Sequence, residues 1–226
     1  MAKIYLSPSD QFGNKYAYGN TNENAQCERI ADACETALLR CGFEVKNNKS
    51  SSMESRVYES NEWGADLHVP IHTNAYNGRV TGTRLFCWDK SGAGYKASKN
   101  IFDNLAPLTP GTSENISVDT TLYEVRNANA PTTYIEVDFH DFPTVAKWII
   151  ENVEPIGEAI CKGICEHFGV EYVNPVREKY RIVLGEYETK DDAEAAIGQV
   201  YALLRTAQEA LVTLSADLQN ATVTNK

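Results

Sequence analysis

Apolar positions along this 226-residue chain change period repeatedly, from the alternation of a strand to the three-to-four spacing of a helix and back. Residues 3 to 6 read as a short strand. The stretch from 7 to 22, rich in Ser, Asn, Gly and Tyr, reads as a long loop of the kind that often carries function. From Glu23 to about Cys41 the residues Cys27, Ile30, Cys34, Ala37, Leu38 and Cys41 recur at helical spacing, and Gly42 supplies a stop. The segment "FEVK" then predicts a strand, 54 to 63 a short helix, and 65 to 71 a buried strand that leaves His72 at its C-terminal end. Further strands are predicted over 83 to 88 and 132 to 139, a helix over 93 to 105, and one long amphipathic helix from about Thr144 to Phe168.

Strands alternating with helices predict an α/β domain: a mixed, mostly parallel sheet flanked by helices on both faces, with ligands gathered beyond the carboxyl ends of the strands. His72 and Glu136 both fall near such ends. The pattern breaks at Pro175, which divides the chain into a domain over residues 1 to 172 and a linker with a small C-terminal βα appendage over 173 to 226. That appendage reads as a strand "YRIVLGEY" and a helix that opens at "TKDDAEAA" and runs to about Leu218.

Composition narrows the classes. With 42% hydrophobic and 23% charged residues the chain is an ordinary globular one. Its net charge of −10, with no block of Lys and Arg, excludes a nucleic-acid partner. No stretch approaches the ~18 to 20 apolar residues of a membrane span. The opening "MAKIYLSPSD" has no apolar core of a secretory signal, so synthesis in the cytoplasm is expected. Six cysteines are too few for a disulfide framework at this length. Cys27, Cys34 and Cys41 share one helix face and read as reduced core thiols.

A hydrolytic zinc site needs about three protein ligands, an open position for water and a nearby carboxylate as base. Glu23, His72 and Glu136 have that chemistry and suitable positions. By residue type alone each has a plainer reading, since Glu at a helix start favours the dipole and a strand-end His is commonly structural.

The order of motifs changes this balance. "ADLHVPIHTNA" resembles the strand and S-I-H-x-N-A signature of the zinc-dependent N-acetylmuramoyl-L-alanine amidases of the type 3 family. "TNENAQ" is similar to that family's ligand Glu at the start of its first helix, "MESRVYESN" to its L-x-x-R-x-x-x-A-N helix, and "RNANAPTTYIEVDF" to its R-N-T-x-x-P-A-x-L-V-E-x-G-F segment. The resemblance covers about residues 3 to 168. It implies that His72 and Glu23 bind Zn2+, and that Glu136 activates the water and later protonates the leaving amine.

One departure stands in the first turn, where the family has D-P-G-H-G-G with a ligand His and this chain has "SPSDQFG". Gln11 or its neighbour Asp10 could supply an oxygen from that turn. His140, four residues past Glu136, could instead reach in from the next strand end. Imidazole is the better zinc donor and Gln11 has the better position, so both remain open. The plainer readings are a turn-stabilising amide for Gln11 and a loop residue paired to Asp141 for His140.

His68 precedes His72 by four residues, which on a strand separates them by ~13 Å, and it reads as structural. Arg126 is a candidate for a stem-peptide carboxylate, with a surface ion pair as the alternative, and Asn74 of the same "IHTNA" run is a second substrate-binding candidate. The tail "YRIVLGEYETKDDAEAAIGQV" resembles the first strand and helix of the sporulation-related (SPOR) glycan-binding repeat. Its second half is absent. A helix with Leu203, Leu204, Leu211 and Leu214 continues instead, and self-association through that helix is the rival to wall binding.

The resemblance implies hydrolysis of the amide between N-acetylmuramic acid and L-alanine in peptidoglycan, with release by lysis, as for a phage endolysin, or export without a signal peptide. The rivals are a metal-free module that binds wall fragments and a zinc hydrolase of another small amide.

Overall fold

The computed structural model describes residues 1–49, 52–175, 188–196 and 198–199. Contacts divide the chain into Met1–Pro175 and Val176–Lys226. The first unit is built on six strands, β1 (Lys3–Pro8), β2 (Glu44–Asn47), β3 (Leu67–Asn74), β4 (Arg84–Cys87), β5 (Asn115–Val118) and β6 (Tyr134–Phe139). Their order across the sheet is β2-β1-β3-β6-β4-β5. β2, β1, β3 and β6 run parallel, β4 pairs antiparallel to β6, and β5 pairs parallel to β4. The sheet is therefore mixed and mostly parallel, as the alternation of elements predicts.

Side chains alternate across β1 and β3. Ile4, Leu6, Leu67, Val69 and Ile71 enter the main hydrophobic cluster, together with residues of α1 (Glu23–Arg40), α3 (Ala93–Leu105), α5 (Pro143–Glu151) and α6 (Val153–Phe168). The intervening residues face the other way: Tyr5 bonds Glu59, and His68 bonds Ser60, both on α2 (Met53–Trp63). A five-residue helix, α4 (Tyr123–Asn127), contacts α2. Helices thus cover both faces. The face under α2 and α4 carries polar side chains in a buried setting, which directs attention to it.

Helix α6 packs against both α1 and α3, and two glycines permit the approach. A Cβ at Gly157 would lie 2.7 Å from the Cβ of Ala33, and one at Gly163 would lie 2.4 Å from the Cα of Ile101. The long helix predicted from Thr144 to Phe168 is two helices broken at Asn152, which adopts φ −125° and donates from Nδ2 to the carbonyl of Trp148. Nothing in the apolar spacing marks this break, because both halves bury the same face.

The start of α1 fixes the first site residue. Asn22 caps the helix by accepting from the N–H of Ala25 at 2.9 Å, and Glu23 follows in the first turn. β3 runs three residues further than the pattern predicts, so His72 lies inside it near its end, directly followed by a register shift against β6. Such irregularities re-aim side chains beside functional sites. In the second unit the helix opening at "TKDDAEAA" is seen over residues 190–196, with Thr189 accepting from the N–H of Asp192. The predicted strand "YRIVLGEY" and Leu203, Leu204, Leu211 and Leu214 lie outside the described residues.

Candidate active site

His72 is the centre of the site because three elements deliver polar groups to its ring. Glu23 Oε1, from the start of α1, accepts from Nδ1 at 2.9 Å. Gln11 Nε2, from the long first loop, lies 3.4 Å from the same nitrogen. Glu124 Oε2, from α4, lies 3.8 Å from Nε2 on the opposite edge of the ring. The ring of Tyr134 stacks on the imidazole with centroids 4.5 Å apart, which holds its plane. Asn14 ties two of these donors together, giving hydrogen bonds to Gln11 Oε1 at 2.6 Å and to Glu23 Oε2 at 2.7 Å.

The charges on this ring are set by its neighbours. Burial opposes protonation of His72, but hydrogen bonds to Glu124 and Glu23 outweigh it and push the imidazolium up to about 9. Glu124 is buried at 1% exposure, and its Oε1 receives Ser7 Oγ at 2.5 Å and lies 3.2 Å from His68 Nε2. Burial raises this carboxyl, yet the two histidines hold it down at about 2. Glu124 therefore bridges His68 and His72, which share one face of β3. His68 is joined to the site through it rather than standing apart.

Glu136 is the contrasting carboxylate. It aligns with His72 in the β3–β6 register. Part of the residue reaches the surface, but Oε2 is enclosed and has no hydrogen-bond partner among the described residues. Burial pushes its carboxyl up to about 7; Glu23 adds to the rise, while His72 and Arg84 oppose it. A buried carboxylate with a free oxygen and a pKa near neutrality is suited to accept and return a proton.

The remaining sequence-predicted residues do not join the cluster. His140 turns its Nδ1 to the hydroxyl and carbonyl of Thr73, at 2.9 and 3.0 Å, and stacks on Tyr16. Asp141, its predicted partner, accepts instead from the N–H groups of Tyr76 and Gly78. Asp10 faces α2, accepting from the N–H of Met53 and pairing with Arg56 at 3.4 Å. Asn74 closes on its own chain, its Oδ1 accepting from the N–H of Ala75. Arg126 lines a separate cavity of about 370 Å³ with Trp88, Tyr95 and Pro131, to which none of Gln11, Glu23, His72 or Glu136 contributes. The residues that sequence reasoning missed are Glu124, Asn14 and Tyr134. A buried pair of histidines on one strand face was the available signal for Glu124, since such a pair calls for a buried acid.

A buried carboxylate–imidazole pair beside an unpartnered glutamate, at the carboxyl ends of a mostly parallel sheet, has the chemistry of a hydrolase site. The family model described as N-acetylmuramoyl-L-alanine amidase matches residues 9–166, and the chain belongs to that family of cell-wall hydrolases. Among solved structures, the catalytic domain of the amidase CwlV from Bacillus (Paenibacillus) polymyxa var. colistinus is 17% identical, with a TM-score of 0.69 over 76% of this chain and all of that one. Cwp6 from Clostridium difficile is 22% identical at a TM-score of 0.67, over 74% of this chain and 29% of that one. The catalytic domain of the CD27L endolysin targeting Clostridia difficile is 20% identical at 0.62, over 74% of this chain and 98% of that one. At these identities the likeness is one of fold. No curated protein matches the chain.

Proposed function

We propose that this chain is a zinc-dependent amidase that cleaves the bond between the lactyl group of N-acetylmuramic acid and L-alanine of the stem peptide. The observation that carries the reading is the pairing of a converged donor set with the unpartnered Oε2 of Glu136. Glu23 Oε1 and His72 Nδ1 already meet at one point and are donors suited to zinc. Gln11 brings its amide to the same point from the turn where the family has histidine, with Nε2 nearest and Oε1, the atom that would bind zinc, held by Asn14. An amide is a weaker ligand than imidazole, so affinity is expected to be lower than for a three-imidazole or two-imidazole site. His140, held by Thr73, is not the third donor in this reading.

When bound, zinc supplies Lewis acidity, polarising the scissile carbonyl and acidifying water. The chain's own residues do the rest. Glu124 takes the Nε2 edge of His72 and leaves Nδ1 for the metal, the arrangement in which a carboxylate behind a ligand imidazole fixes its orientation and basicity. Tyr134 holds the ring plane. Glu136 Oε2 removes the proton of the attacking water and returns it to the departing amine nitrogen, so that an amide and water become a carboxylate and an amine. Arg84 stands opposite Glu136 in the β4–β6 register, and it is a better placed candidate than Arg126 for a carboxylate of the stem peptide.

Purified chain incubated with peptidoglycan tests this directly. Mass spectrometry should find free stem peptides beginning at L-alanine and intact, peptide-free glycan strands. Products with new reducing sugar ends, or with cleavage inside the peptide, would overturn the bond assignment. Action on the wall after lysis, in the manner of an endolysin, and action after export without a signal peptide are both settings that suit the reading.

A further inference from the structure

Three cysteines, one at the C-terminal end of α1 and two on α6, form a cluster distinct from the site at His72. Cys161 Sγ lies 3.8 Å from Cys41 Sγ and 3.9 Å from Cys165 Sγ, and all three sulfurs fall within 4.8 Å of one another. We propose that Cys41, Cys161 and Cys165 form a structural site for a thiophilic cation of zinc's size.

The spacing is the first argument. A tetrahedral zinc with Zn–S near 2.3 Å has S···S edges of about 3.8 Å. The two edges at Cys161 match this, while the third, between Cys41 and Cys165, is within 4.8 Å and would need at most a small closure. The surroundings are the second. The N–H of Val173 points at Cys41 Sγ from 3.3 Å, the kind of donor that stabilises a metal thiolate. Arg40 anchors the same segment by donating from Nε to the Val173 carbonyl at 2.8 Å, and its positive charge acts on Cys165. That guanidinium already pairs with Glu158 at 2.6 Å, so it would offset only part of the one net negative charge that a divalent ion with three thiolates carries. Access is the third. Cys41 is 9% exposed at the C-cap of α1, while Cys161 and Cys165 lie behind it on successive turns of α6.

The other cysteines sharpen the contrast. Cys27 and Cys34, on the same helix face as Cys41, are wholly buried and belong to no such group among the described residues. Binding replaces three S–H protons by three metal–sulfur bonds and releases those protons to solvent, leaving the fourth tetrahedral position to water. Uptake must therefore strengthen as pH rises. The site would tie the C-terminal end of α1, whose other end carries Glu23, to α6.

Cobalt(II) provides the probe. Reduced full-length protein stripped with a chelator and titrated with Co2+ should develop the near-ultraviolet sulfur-to-cobalt charge-transfer absorption, which an imidazole–carboxylate site does not give. The band should persist in His72→Ala and vanish in Cys161→Ala. X-ray absorption at the zinc edge on the unsubstituted, zinc-loaded chain should show sulfur neighbours near 2.3 Å. That measurement decides even if the cysteine variant fails to fold. Only nitrogen and oxygen neighbours, or no charge-transfer band on the stripped protein, would overturn the proposal and return the three thiols to core packing.

Discussion

Two glutamates approach His72 from different elements, and their surroundings divide the work between them. Glu124 is met on one oxygen by Ser7 and His68 and faces His72 with the other, and its carboxyl sits near 2. Glu136 lies beside the same histidine with one oxygen enclosed and unpartnered, and its carboxyl sits near 7. Burial raises both. Partners decide the outcome, because a charged form that is hydrogen-bonded and opposed by imidazolium overcomes desolvation, whereas a bare one does not. Pairs of carboxyl groups driven apart in this way mark the acid–base assignment of a site, and in the proposed mechanism Glu124 is the fixed anion and Glu136 the group that exchanges protons.

The largest effect should come from removing the group between them. His72→Ala takes away one metal donor, the partner of Glu124 and the charge that opposes the rise of Glu136, so in protein lacking the cysteine cluster zinc binding and turnover should fall below detection in elemental analysis and peptidoglycan digestion. Zinc retained at the level of the unsubstituted chain, in protein whose cysteine cluster has been removed, would break the comparison at its centre.

Next comes Glu124→Gln. It strips the charge from the acid behind His72, and a buried imidazolium without its partner is costly, on the order of 3 kcal/mol. Zinc affinity should drop ~10- to 100-fold, as for other carboxylates behind a metal-binding histidine. Imidazole NMR of the metal-stripped protein should show the His72 pKa falling from about 9 toward its ordinary value. An unchanged titration would remove Glu124 from the account.

Glu136→Gln should act in the opposite direction on stability. The folded pKa of Glu136 is raised from 4.5 to about 7, so folding favours its protonated form. That advantage is complete below about 4.5 and disappears as pH rises through 7. The amide, which cannot ionise, should therefore stabilise the metal-stripped protein at pH 8 by up to roughly 3 kcal/mol, read from urea midpoints. No gain at pH 8 would mean that the buried carboxylate has found a partner. The smallest effect belongs to Arg126→Ala: its side chain lines another cavity, and peptidoglycan turnover should change less than ~3-fold.

Most of the sheet and its flanking helices were legible in the sequence, since α1 and α3 bury apolar residues at helical spacing and β1 and β3 are short runs buried on both faces. β5 was not, because "NISV" is half-exposed and carries little strand signal. α4 was not, because five residues hold barely one turn. The same short helix hid Glu124. In "LYEVRN" it is an unremarkable acid, and only the fold brings it across to two histidines far away in sequence. Glu23, His72 and Glu136 were legible through the spacing of their motifs, but the choice among Gln11, Asp10 and His140 was not. It rests on Thr73 and Arg56 drawing two of the three candidates elsewhere, contacts that no local pattern announces.

The most direct test is to follow zinc content and release of L-alanine-terminated peptides together in Glu136→Gln. The account requires zinc at the level of the unsubstituted chain, with release lowered at least ~10²- to 10⁴-fold, the contribution typical of a positioned acid–base group. Release at the unsubstituted rate would contradict it, and would place the proton transfers on a residue other than Glu136.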